Sequence, residues 1–373
     1  MTQSILSGRK LKYDVIRITA IMMVVMIHVS RYMVMYYEPD TSNSEFAIAN
    51  VFNGIARAGT PMFLMLTGAL VLGGDKVTDA KTFYKKRLLG IVGLTVFWLL
   101  FYAAWRGFVL PVISGGSPDP GHFVQYLLKL AGPFPHLWYM YMLIIIYALV
   151  PLFKKVLKKE NKALILGYIL FAEAVQLAIT AAGIMTGGTS FTIGNIFTVF
   201  KDLPVLIPFV MVGWFFTAFV PYVLIAWYIT VFPPKEITRY LLMAAGVIAL
   251  ILIILSVHFL IGDNPNIRLY VVEMYNFPAL VYGVGLFTFI STVCKEKETG
   301  SGLVQSLSKC SFGIYILHVM ILDIMLLIMP YSVFGETNTI LYMIILHVLV
   351  FWITYGFVLL LSKVTGVRKL LKV

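Results

Sequence analysis

Long apolar runs, separated by short polar or basic stretches, organise this chain from end to end. A helix needs about 20 mostly apolar residues to cross the hydrocarbon of a bilayer. By that measure the pattern predicts ten spans, near 13–36, 50–74, 88–110, 133–153, 162–183, 204–232, 240–262, 277–294, 306–330 and 337–362. The eighth is short. The sixth is long and carries Pro204, Pro208 and Pro221, so it is expected to be kinked or partly re-entrant. No internal repeat, low-complexity tract or long linker divides the run. The expectation is an all-α polytopic membrane protein forming a single domain over residues 1–373. The basic start (Arg9, Lys10, Lys12) resembles a signal peptide, but no small-residue cleavage site follows it, and the first run reads as a retained span.

Composition agrees with that reading. Hydrophobic residues make up 60% of the chain, charged residues only 12%, and the mean hydropathy is +0.91. A soluble chain carries about 25% charged residues, and one this poor in charge cannot cover itself with polar surface. The net charge of +12 would suit nucleic acid, but its placement argues against that partner. Of 29 Lys and Arg, 22 fall on the N-terminal side of the alternation, in clusters such as Lys81–Arg87, Lys154–Lys162, Lys235–Arg239, Lys295–Lys297 and Lys363–Lys372. The positive-inside rule makes that side cytoplasmic, with both termini on it. Cys294 and Cys310 fall at the ends of spans on the same side, so no disulfide framework is expected. The outer loops are short and polar, and only eleven residues follow the last span, so no appended soluble domain is expected.

Two costly side chains stand in the first span, "YDVIRITAIMMVVMIH". His28 stands eleven positions after Arg17, which places them within about 20° on one helical face and about 16 Å apart along the axis. Ionisable residues at such depths usually face a cavity or a partner. The simplest alternative is a snorkelling Arg17 that anchors the inner interface, with His28 an interhelical hydrogen-bond donor.

Asp14 and Arg17 in "YDVIR", followed after ten residues by His28, resemble the signature of the membrane acyltransferase 3 family. "MVVMIH" is most similar to its enterobacterial-type surface-polysaccharide O-acetyltransferases. "GTPMFLMLTGALVL" (59–72), "FYKKRLLGI" (83–91), "HLWYMYMLIIIYALVPLF" (136–153) and "SKCSFGIYILHVMIL" (308–322) resemble further family segments in the expected order. Thr67 departs from the usual serine, and Gly90 from a second arginine three residues after Arg87. The resemblance implies a multi-pass protein of the bacterial inner membrane. It would move an acyl group, acetyl in the first instance, from acetyl-CoA to a hydroxyl of a surface glycan or its lipid-linked precursor.

The chemistry of the residues fits that expectation. Removing a hydroxyl proton near neutral pH suits a histidine, and His28 is the expected general base. Lys85, Lys86 and Arg87, with Arg17 just inside the span, would bind the phosphates of coenzyme A, although the same loop also serves as an ordinary topology signal. Asp14 lies about 21 Å below His28 and cannot orient it. Glu173, Tyr315 or a backbone carbonyl is expected in that role. Asp14, Glu173, Tyr315 and His318 are the other cavity candidates. Ser311, Tyr315 and His318 share a face of the ninth span, where interhelical bonding is an equal reading. Glu173 and Gln176 share a face of the fifth, with Arg57 or Arg106 as the expected partner of Glu173. Trp138 and Tyr139 read as an interfacial belt, and His122, His258 and His347 as structural. No metal-ligand spacing, nucleophile elbow or phosphate-binding glycine loop occurs. The rival from another class is a transporter of a lipid-linked sugar or an acylated metabolite, which would favour repeated halves that this chain lacks. A scaffold would not need Arg17 and His28 on one face.

Overall fold

A computed structural model describes residues 10–37, 43–73, 79–128, 136–188, 207–261, 264–273, 275–294, 300–335 and 338–373. Arg9, Lys76, Pro204, Lys295 and Lys297, with the side chains of Pro208 and His258, lie outside the described residues. Among the described residues every regular element is helical. Nine helices among the described residues are long and apolar enough to cross a membrane: α1 (Leu11–Tyr37), α2 (Ser44–Leu72), α3 (Ala80–Ile113), α4 (Trp138–Val156), α5 (Lys159–Met185), α6 (Met211–Val231), α7 (Glu236–Ile261), α9 (Gly302–Ile328) and α10 (Thr339–Leu361). The short eighth run forms α8 (Phe277–Val293), 17 residues long.

Several spans differ from the pattern for local reasons. α3 has 34 residues, about 50 Å, and outruns a hydrocarbon core of about 30 Å, so its basic first turns extend past the apolar run that marked it. α6 breaks at Phe219, just before Pro221, whose ring fits the first turn of a new helix but not the interior of an old one. α2 breaks at Arg57–Ala58 and restarts at Gly59, then closes on a π-helical turn, Gly68–Leu72. Further π-helical turns interrupt α3 at Tyr84–Leu88 and Trp105–Val109 and end α7 at Val257–Ile261.

The chain packs as two compact units. The first comprises Met1–Gly74 and Val156–Ser308, the second Asp75–Lys155 and Lys309–Val373, so α9 contributes to both. In the first unit α1 packs along both parts of α2, and α7 along α8. Glycines allow these close approaches. A Cβ at Gly285 would lie 2.6 Å from the Gly246 Cα, and one at Gly59 would strike Met23 and the Ala20 carbonyl of α1. Small residues of this kind let membrane helices gain van der Waals contact where no hydrophobic force acts between them. In the second unit the Tyr84 hydroxyl donates to the Ala148 carbonyl, holding the start of α3 against α4. Tyr102 donates to the Ile316 carbonyl, which holds the middle of α3 against α9.

Candidate active site

The α1 helix opens with a buried acid. Asp14 is 2% exposed in the first turn, where the helix dipole favours negative charge but burial makes a partner obligatory. The partner comes from α9. The Ser308 hydroxyl donates to Asp14 Oδ1 at 2.6 Å and accepts from Arg17 Nη1 at 2.8 Å, while Arg17 Nη1 itself lies 3.5 Å from Asp14 Oδ1. Arg17 is thus turned inward and held, rather than extended along the helix to the interface. A guanidinium carries five N–H donors, a set that can serve several oxygens at once. Ser308 enters the candidate set from the structure. In the sequence it was only the first letter of a family-like segment, 291 residues from Arg17.

His28 is half-buried on the same face of α1. Nearby, α1 is clamped by α2. Asn53 Nδ2 donates to the Ile27 carbonyl at 3.1 Å and to Ser30 Oγ at 3.0 Å. Its Oδ1 accepts from Arg57 Nε and Nη2 at 3.0 and 2.7 Å, and Arg57 Nη1 pairs with Glu273 Oε2 at 2.7 Å. Ser30 and Asn53 are wholly buried and Arg57 nearly so. The chain from Glu273 through Arg57 and Asn53 fixes the backbone position immediately before His28. It also corrects the expected pairing of Arg57 with Glu173. Asn50, Asn53 and Arg57 fall at i, i+3 and i+7 within an apolar run, a polar stripe that the sequence does display.

Of the side chains expected to orient His28, Glu173 makes no hydrogen bond among the described residues and Tyr315 bonds elsewhere. Neither carboxylate oxygen of Glu173 has a hydrogen-bond partner among the described residues, so Glu173 does not hold His28. Arg106, the other expected partner of Glu173, pairs instead with Asp323 at 2.8 Å, and Trp105 Nε1 donates to the same carboxylate at 2.9 Å. The Tyr315 hydroxyl donates to the His136 carbonyl.

In the second unit Tyr315 and His318 come together, as their shared face predicted, and gather partners the spacing did not show. The His136 ring stands 4.4 Å from Tyr102, 6.2 Å from Tyr315 and 5.8 Å from His318, centroid to centroid. Tyr139 packs on Tyr315 at 5.6 Å and is buried, so it is a core residue of this unit rather than a belt residue. His318 Nδ1 lies 2.7 Å from the Tyr315 carbonyl and 3.1 Å from that of Ile314. Carbonyls only accept, so the bonding assigns the hydrogen to Nδ1 and makes Nε2 the basic nitrogen.

Lys85, Lys86 and Arg87 are exposed on the π-helical turn of α3, and no carboxylate among the described residues pairs with them. The chain end adds a fourth cation. Desolvation by its neighbours, and then the positive charge of Arg87, hold Lys372 below the ordinary lysine value. The part of that depression that comes from the Arg87 charge is what a bound anion would relieve. A Cβ at Gly90 meets nothing within 4 Å, so packing does not force its departure from arginine. Thr67 donates to the Phe63 carbonyl one turn back at 3.2 Å. Arg17 and His28 stand in the first unit, the Lys85–Arg87 cluster and the Tyr315–His318 pair in the second.

A family model described as an acyltransferase domain matches residues 11–359, nearly the whole chain and both units. The chain belongs to the acyltransferase 3 family. It is therefore a multi-pass membrane acyltransferase, and the transporter reading gives way. No curated protein and no solved structure matches it. The acyltransferase 3 match begins at Leu11, so it takes in Asp14, Arg17 and His28 at one end and Tyr315 and His318 at the other.

Proposed function

We propose that this acyltransferase moves an acetyl group from cytoplasmic acetyl-CoA to a hydroxyl of a surface glycan or its lipid-linked precursor, in the inner membrane of a bacterium. The observation that supports it most directly is the shared face of α1, with Arg17 anchored in the Asp14–Ser308 network at its base and His28 about 16 Å above. Coenzyme A has its phosphates at one end of a thin arm and its thioester at the other. Arg17 binds the phosphates through charge-assisted hydrogen bonds. The thioester then lies toward His28. His28 takes the proton of the acceptor hydroxyl as its oxygen attacks the thioester carbonyl. The carbon–oxygen bond forms, the carbon–sulfur bond breaks, and the proton passes from His28 to the departing thiolate.

The test is transfer of label from acetyl-CoA to candidate glycans by purified protein. Removing a positioned base typically costs about 10²–10⁴-fold in rate. His28→Gln keeps hydrogen-bonding capacity but cannot accept a proton near neutral pH, so it should insert and bind acetyl-CoA yet transfer at that reduced rate. Near-normal transfer by His28→Gln would remove the histidine from the chemistry.

A further inference from the structure

The buried stripe of α5 changes character partway along. Ile165, Ile169 and Ala172 are followed on the same face by Glu173, Gln176 and Thr180, then by Gly183, against which the Tyr270 ring packs. The three polar residues are 8%, 2% and 5% exposed. Gln176 spends its amide N–H on Thr217 Oγ1 of α6 at 2.9 Å. Both oxygens of Glu173, Oε1 of Gln176 and Oγ1 of Thr180 have no hydrogen-bond partner among the described residues. Four buried oxygens on one face, three of them carboxylate or amide acceptors and the fourth a hydroxyl that both donates and accepts, are a costly arrangement unless something supplies partners, donors above all.

The geometry narrows what that is. From residue 173 to 180 the stripe rises about 10 Å. A hard cation draws its oxygen ligands to within about 2.6 Å, so a single ion cannot gather acceptors spread over that length. Phosphates and carboxylates are themselves acceptors and would be repelled by Glu173, which excludes the phosphate end of an acyl-CoA. An acyl chain supplies no donors. A row of hydroxyl groups does, over a length that suits two linked sugar rings. The turn of α6 that bonds this stripe is not fully buried. Thr217 is half-buried, and a Cβ at Gly213, one turn earlier, meets nothing within 4 Å.

We infer that Glu173, Gln176 and Thr180 form a glycan-binding site in the first unit that receives sugar hydroxyls. The identity of the occupant rests on the glycan acceptor proposed above. The test uses the full chain in nanodiscs of phosphatidylethanolamine and phosphatidylglycerol, with no acyl donor present. Saturation-transfer difference NMR is recorded with gluco-, galacto-, manno- and N-acetylglucosamine-containing disaccharides. Tetraethylene glycol, rich in acceptors but poor in donors, is the control. At least one disaccharide should give a saturable response above the control. Glu173→Gln and Thr180→Val, both close in shape to the native residues, should each weaken it by about tenfold. His28→Gln should bind the disaccharide like the native chain while losing transfer, so failure of the chemistry and failure of this site are told apart. Disaccharide responses no greater than that of tetraethylene glycol, or a response unchanged in both α5 variants, would overturn the assignment.

Discussion

Replacing Arg57 with Ala tests whether the polar chain beside His28 holds the first unit together. The side chain is 5% exposed and makes three hydrogen bonds, two to Asn53 and one to Glu273. Removing one member of a buried ion pair costs about 3–5 kcal/mol, because the other charge stays behind without compensation. Asn53 Oδ1, wholly buried, would also lose both its donors, a further cost of about 1–3 kcal/mol. The two losses share a network and do not add in full. Arg57→Ala should therefore destabilise by at least about 4 kcal/mol. Replacing both charges, as Arg57→Met with Glu273→Met, leaves no carboxylate behind and takes from Asn53 only the two Arg57 donors. The double variant should be the milder of the two, by about 2 kcal/mol or more. The assay is SDS-driven unfolding in mixed micelles, followed by helical circular dichroism. A double variant as damaged as Arg57→Ala would refute the reasoning, since the stranded charge would then not be the source of the cost.

Three further outcomes follow from the same geometry. Arg17→Ala should weaken coenzyme A binding by about tenfold or more, and salt should weaken binding by the native protein, read by equilibrium dialysis; normal binding with slow turnover would move Arg17 to the reacting centre. Gly285→Ala should destabilise by about 1–3 kcal/mol because its Cβ meets the Gly246 backbone, whereas Gly90→Ala, with nothing within 4 Å, should cost nothing in the same unfolding assay. In a chain with Cys294 and Cys310 replaced by Ser, a membrane-impermeant thiol reagent applied outside the cell should label Ser117→Cys and spare Ser362→Cys; the opposite pattern would invert the proposed topology.

The sequence alone determined the spans and the shared face of Arg17 and His28, because both are local properties. The free energy of moving a residue into hydrocarbon belongs to that residue and its near neighbours. Helical periodicity sets the angle between two positions without reference to the rest of the chain. The pattern also marked the disturbed regions, since the Pro221 break of α6 follows from one ring and one missing donor. What the sequence could not decide was which polar group meets which. Arg57 could as well have met Glu173 as Glu273, and Arg106 either Glu173 or Asp323; all are single charges in apolar surroundings. The choice belongs to the rotation and approach of whole helices, set by contacts such as Gly246 on Gly285 and Gly59 on α1. Those contacts join segments far apart in the chain, and the 216 residues between Arg57 and Glu273 carry no local trace of their pairing. The tertiary structure alone decided that Ser308 would bridge Asp14 and Arg17. It also left the oxygens of Glu173 without a partner among the described residues, while Arg57 and Arg106 are turned to Glu273 and Asp323.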